Sequence, residues 1–249
     1  MSHPSALQAA PAALLQALDG IASMASGRRR LVVVMGQLGD FDSLEYAQAL
    51  AGAQARLAEA DITVAAFGIG SEAGAERFCR FTGLERSVLH PQPDNKLHQQ
   101  LDLYAGLRAP GGPWPSLLLM CTGLGSPGTL AEVWRGYSGD RSAAPRFGDE
   151  QAIDLPGLGA LKGGLFNRLG QGYQRPFELA TVRLQNMVEV LGAWRTYVPD
   201  DAFLTQRGAT YLLAEDNTLL YSHLEKGLLG FSATMSDPLG FLTPFLSEG

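Results

Sequence analysis

The sequence predicts an α/β fold: a central mixed sheet flanked by helices, with a large helical and loop insertion. Three observations carry this. Residues 31–103 alternate short β-branched or aliphatic runs with stretches of helical spacing, the pattern of a mostly parallel sheet covered by helices. Residues 209–223 hold two short apolar runs around a tight turn, the pattern of an antiparallel hairpin. Between them, about residues 105–200 are rich in Gly and Pro and break the alternation.

Each element has a local reason. Leu31 to Gly36 is a buried strand, and a helix follows from near Ser43 to Glu59 with Leu44, Ala47, Leu50, Ala51 and Leu57 on one face. Asp42 suits its N-cap, with Glu45 three positions on as a capping-box partner. Ile62 to Phe67 reads as the second strand. Glu72 to Phe81 is a helix stopped by Gly83. Ser87 to His90 is a third short strand and Asn95 to Leu103 a third helix. In the middle stretch, Thr129 to Tyr137 and Pro176 to Trp194 have helical spacing. Ala209 to Leu213 and Leu219 to His223 flank the turn Glu215-Asp216-Asn217, and Pro238 to Leu246 closes the chain as a short helix. The expected organisation is an N-terminal segment, 1–28, with a helix over Ala12 to Met24, then one domain, 29–249, with the insertion at about 105–200.

Composition narrows the function. The chain has 249 residues and a net charge of −6, and nucleic-acid binding needs clustered Lys and Arg. The one basic run, Arg28-Arg29-Arg30, is expected as a solvated turn. Two cysteines make no disulfide framework, no apolar run has the length of a membrane span, and Asp19 interrupts the first apolar segment. A reducing cytoplasm is the expected compartment.

Few residues carry recognisable chemistry. Cys79 and Cys121 are the candidate redox thiols. Cys79 lies in a helix between Phe78 and Phe81, where packing is expected, and an unperturbed thiol is only about 3% thiolate at pH 7. Cys121 ends the aliphatic run Leu117 to Cys121 and is expected in the core. Gly123-x-Gly125-x-x-Gly128 matches a dinucleotide fingerprint, but Pro127 sits inside it and no βαβ unit surrounds it, so a turn into the next helix explains it better. The four His residues have no metal-ligand spacing, so no metal and no cofactor is expected. The segment Tyr173 to Trp194 mixes aromatic residues with Arg175 and Arg183, a composition enriched at interfaces. It and the N-terminal helix are the candidate partner surfaces, through which oligomers could also form.

Several short motifs occur in a shared order: Phe78-Cys79-Arg80-Phe81-Thr82-Gly83, Thr129-Leu130 through Trp134-Arg135, Gln206-Arg207-Gly208-Ala209-Thr210, Ala214-Glu215-Asp216-Asn217 and Tyr221-x-His223. On these, residues 30–105 and 195–246 resemble the peroxiredoxin-like, AhpC/TSA-related branch of the thioredoxin superfamily. The likeness is nearest to cyanobacterial and plastid members with a long insertion, and it implies a thioredoxin-like fold. In active relatives the loop after the first strand carries Cys-x-x-Cys. The resemblance places those positions on Asp40 and Ser43, within Asp40-Phe41-Asp42-Ser43. It places Arg207 where peroxiredoxins hold a thiolate-stabilising arginine.

A carboxylate cannot store peroxide oxygen as a sulfenic acid does. The expected function is therefore a non-catalytic binding, assembly or regulatory protein that has lost its peroxidatic and resolving cysteines. The alternative is a thiol-dependent antioxidant enzyme using Cys79, with or without Cys121. An Asp40–Arg207 ion pair is also expected, with the two positions exchangeable.

Overall fold

A computed structural model describes residues 8–155 and 159–246. The elements run, in order, α1 (Ala12–Leu18), β1 (Arg29–Gln37), α2 (Phe41–Glu59), β2 (Ile62–Ile69), α3 (Glu72–Thr82), β3 (Leu89–Gln92), α4 (Lys96–Gln100), α5 (Pro113–Cys121), α6 (Thr129–Ser138), β4 (Ala152–Leu155), β5 (Gly159–Lys162), α7 (Glu178–Gly192), α8 (Trp194–Tyr197), β6 (Ala209–Leu213), β7 (Leu219–Leu224) and α9 (Thr243–Leu246). The main sheet has the order β3-β2-β1-β6-β7. β1 pairs parallel with β2, and β2 with β3. β6 runs antiparallel to β1 and to β7. This is a thioredoxin-like mixed sheet.

The central strand explains the two-sided core. Side chains alternate along a strand, so Leu31, Val33 and Met35 face α2 and α3 while Val32 and Val34 face α1 and α4. Both faces are covered, which is why the run from Leu31 to Met35 is apolar without alternation. On the first face Tyr46 and Phe78 fill the space, and Tyr46 stacks on Phe231 at 4.6 Å. On the second, Leu14 and Leu18 of α1 bury beside Leu97 and Leu101. The N-terminal helix therefore spends its apolar face on its own sheet. It ends at Leu18, with a separate single turn at Ala22–Met24.

Other expectations shift. The helix after β1 starts earlier than expected, with Asp40 and not Asp42 as its N-cap; the Asp40 carboxylate accepts from Asp42 N at 3.4 Å. Glu45 does not reach back to the cap but binds Arg183 of α7 at 2.9 Å. The basic run is a solvated turn only at Arg28, which is exposed before β1. Arg30 is buried in β1, donating to Ala214 O at 3.0 Å and Asn217 Oδ1 at 2.6 Å, while Arg29 donates to Ala60 O and Phe245 O. The aliphatic run before Cys121 is a helix, α5, and β4–β5 form a hairpin that no pattern announced. The third strand begins at Leu89 and the third helix is confined to Lys96–Gln100.

The middle stretch packs on the helices that cover the sheet, and its Val190, Tyr197 and Val198 join the core on the α2 and α3 face. α7 packs on α2 and α6. Partly buried charges hold that contact: Arg183 binds Glu45 and Glu132 Oε2 (3.2 Å), Glu132 binds Arg135, and Arg146 lies 3.5 Å from Glu45. The end of this stretch reaches the loop after β1, where a Cβ on Gly39 would stand 2.3 Å from Val198 Cγ2. Overfilling a closed core costs about 1–3 kcal/mol. Gly39→Ala is therefore expected to lower unfolding stability by about that amount. Adding Val198→Ala should recover part of it in chemical denaturation, and a simple sum of two losses would contradict this packing.

Candidate functional site

The candidate site lies at the C-terminal end of β1. The pairing register of β1 with β2 slips between Val34 and Gln37, and Leu38-Gly39 carries the chain to Asp40 at the start of α2. A helix N-terminus leaves backbone N–H groups unpaired and favours negative charge, which Asp40 and Asp42 supply.

Arg207, fully buried in the segment before β6, meets both carboxylates. Its Nη2 donates to Asp40 Oδ2 at 2.5 Å and its Nη1 to Asp42 Oδ2 at 2.9 Å, with Nε on Thr205 O at 3.3 Å. Asp42 Oδ2 also accepts from Leu229 N at 2.6 Å. Glu225, just after β7, is buried nearby, and its Oε2 accepts from Gly208 N at 3.0 Å. Gly208 also lies tight against β1, where a Cβ on it would stand 2.0 Å from Val34 O.

Two buried carboxyls, Asp42 and Glu225, and the half-buried Asp40 thus surround one guanidinium. Burial works against the charged form of Arg207, but Asp40, Asp42 and Glu225 outweigh it and raise its pKa. Burial raises the Asp42 carboxyl well above the usual range, with Asp40 adding and Arg207 opposing. Burial pushes Glu225 up to about 7 against the pull of Arg207. His98 lies under the same strand, its Nε2–H donating to Met35 O at 2.7 Å, and burial pushes it down to about 4. It is neutral at pH 7.

A pocket of about 170 Å³ opens beside this cluster, lined by Gln37, Asp40, Leu117, Cys121, Trp194 and Leu228, among others. Phe41, Val133 and Leu229 are shared with a larger apolar groove of about 390 Å³ between α6 and α7.

The structure brings Asp40, Arg207 and Cys121 together, with Ser43 buried in the first turn of α2. Cys121 is exposed and faces the pocket, contrary to its expected place in the core, because α5 presents its last residue to the cleft. Burial, then Asp42 and Asp40, raise its pKa. Cys79 is elsewhere, buried in α3 against the core, where burial pushes its pKa up to about 11. The Gly123–Gly128 run is the turn from α5 to α6. Asp42, Glu225, Gln37 and His98 are the site residues that sequence reasoning missed. Asp42 gave a signal, as a second acid two residues after the cap, but it reads equally well as a cap. A lone Glu after a strand gave none.

Within Tyr173 to Trp194, the buried Arg175 and the half-buried Arg183 are held in ion pairs, whereas Phe177, Leu184 and Leu191 are exposed. Among the described residues no helix is long and apolar enough to cross a membrane.

The second aspartate changes the expected exchange of charges. Swapping Asp40 and Arg207 would leave an acid facing Asp42, so the swap should not restore stability. Arg207→Met strands buried carboxylates and is expected to cost about 3–5 kcal/mol at pH 7, with part recovered at pH 5. Guanidinium titration at the two pH values checks both. Glu225 has a raised folded pKa, so the native state keeps a proton that the unfolded chain has released. Its contribution is fully present below the unfolded carboxylate range near ~4.3 and is lost as pH climbs to about 7. Glu225→Gln should flatten the pH dependence of melting in that window, and an unchanged slope would contradict this origin.

A family model described as AhpC/TSA antioxidant enzyme matches residues 49–227. The match runs through the middle stretch, in which the motifs had covered only Thr129-Leu130 through Trp134-Arg135, and begins after Asp40 and Ser43. Searches of the curated proteins and of the solved structures found no match. With the mixed five-stranded sheet and well over half of its length matched, this chain belongs to the AhpC/TSA antioxidant enzyme family.

Proposed function

We propose that this chain is a family member that has lost its peroxidatic and resolving cysteines and works as a binding, assembly or regulatory protein in the cytoplasm. One thioredoxin-like domain, 29–249, carries it, with 105–200 as the insertion typical of cyanobacterial and plastid members. The observation that supports it most is Asp40, a carboxylate at the helix start where the resemblance places sulfur, held by Arg207. A peroxidatic centre needs a thiolate, whose negative charge a cation and a helix N-terminus favour. Here those two stabilising features already serve carboxylates. Neither cysteine sits where its thiolate is favoured: burial raises Cys79, and burial with two acids raises Cys121. The exposed side chains of Phe177, Leu184 and Leu191 support a partner surface on α7.

One observation favours a second reading. Cys121 lines the same pocket as Asp40, so a thiol-dependent antioxidant activity would run through Cys121 rather than Cys79. Peroxide consumption with a dithiol reductant separates the two readings. The binding reading expects no turnover above the uncatalysed rate, and none lost in Cys121→Ser. Enzymatic turnover abolished by Cys121→Ser would replace the first reading with the second.

A further inference from the structure

A helix on a protein surface usually turns its charges outward and its apolar residues inward. α6 and α7 do the reverse. Between them they carry five charged residues, Glu132, Arg135, Glu178, Arg183 and Glu189, and all five are buried or half-buried in ion pairs. What faces solvent is uncharged and chiefly apolar: Leu130, Val133, Trp134 and Tyr137 on α6, Leu184 on α7, and Phe177 just before it. Leu130, Trp134 and Tyr137 follow one another at helical spacing and form one ridge. Tyr137 meets Phe177 edge to face at 6.1 Å, which joins that ridge to the start of α7.

The exposed apolar side chains are not scattered. Of the thirteen large ones among the described residues, twelve lie between Trp114 and Leu191. Trp134 is 72% exposed, Tyr137 54% and Phe177 51%. Aromatic side chains offer about 150–250 Å² each, so these three alone leave roughly 350 Å² bare. Leu130, Val133 and Leu184 carry the patch to the top of the range that monomers expose, about 300–600 Å², where such patches mark binding sites. A stable interface covers about 800 Å² on each partner, about 65% of it apolar where two identical chains meet. The patch supplies most of that apolar share.

Two further features select the occupant. The chain carries a net charge of −6, so two copies repel one another least across an uncharged face, and no charged side chain of α6 or α7 is exposed. A strongly charged partner finds nothing on these helices to pair with. The ridge also stands beside its own complement. A groove of about 390 Å³ runs between α6 and α7, lined by Val133, Tyr137, Phe177, Leu184 and Met187 among others. A two-fold interface uses the same patch on both copies, so it needs a projection and a hollow side by side. Trp134 next to this groove is that arrangement.

We propose that two copies of this chain pair through α6 and α7 about a two-fold axis, with Trp134 of each seated in the groove of the other. The groove shares Phe41, Val133 and Leu229 with the pocket beside Asp40, so pairing covers the approach to that site. This rests on the partner surface of the binding reading above and names the partner.

Sedimentation equilibrium of the full chain at pH 7 tests it. The 26.6 kDa chain should show twice that mass at about 50 μM. Trp134→Glu and Leu184→Glu should each weaken association at least tenfold, whereas Leu224→Glu, at an exposed position ending β7, should leave it unchanged. Trp134→Lys and Leu184→Glu, each monomeric alone, should associate when mixed, because the new charges then meet across the axis. Circular dichroism checks that each variant folds, and if a Trp134 variant does not, Leu184→Glu carries the test. A monomer at about 50 μM, wild-type association in the folded Trp134→Glu and Leu184→Glu chains, dissociation by Leu224→Glu alone, or mixed variants that stay monomeric would overturn the proposal. A monomer that floats with phosphatidylcholine vesicles would overturn it too and give the face to lipid. Peroxide turnover would overturn the binding reading instead, so the two failures are distinguishable.

Discussion

Arg207 is the charge around which the C-terminal end of β1 is arranged. A fully buried guanidinium is unfavourable alone, and its partners come from distant parts of the chain: Asp40 and Asp42 from the start of α2, with Glu225 beyond β7 close by. Those partners are in turn fixed by the backbone. Asp40 caps α2, Asp42 holds the amide of Leu229, and Glu225 holds that of Gly208. A single cation thereby ties the start of α2 to the segment before β6, close to the residue that follows β7. Removing one member of such a group is more damaging than the worth of any one pair, because the others are left buried and uncompensated.

A second charged group does for the middle stretch what Arg207 does for the site. Glu45 on α2, Glu132 and Arg135 on α6, Arg146, and Arg183 on α7 fasten the helices to one another. The walls of both cavities depend on this placement, since the larger groove lies between α6 and α7 and the smaller runs from α2 to α5. Side chains from the middle stretch, Leu117, Cys121 and Trp194, therefore complete a pocket whose floor comes from β1 and α2.

Much of the sheet was legible because its signals are local. Leu31 to Met35, Ile62 to Phe67 and Ala209 to Leu213 are runs of strand-forming residues bounded by breakers, and Gly83 ends α3 in the left-handed conformation that favours glycine. The cap of α2 was misplaced because Asp40 and Asp42 offer the same chemistry two residues apart. Only the approach of Arg207 shows that Asp42 faces inward. Arg30 was misread for a similar reason. Three arginines in a row look solvated, yet the Ala214 carbonyl, 184 residues away, accepts from one of them. The hairpin β4–β5 is short and mostly exposed, so it carries little apolar pattern. Cys121 was misplaced because an aliphatic run reads the same whether it is buried or borders a cleft.

The two ends of the sheet are finished differently. β3 is only four residues long and carries Pro91, whose missing N–H denies a neighbouring strand one bond. At the opposite end, Gln8 to Ala10 lies along the start of β7, with Leu219 N donating to Gln8 O and Ala10 N to Asn217 O. This arm shields backbone groups that would otherwise be open to strand addition. Trimming the chain to Arg29 would remove both the arm and the helix over Leu14 and Leu18, uncovering apolar sheet beside a bare ladder. The first trouble from such trimming would be self-association in concentrated solution, while the Arg207 cluster stayed in place.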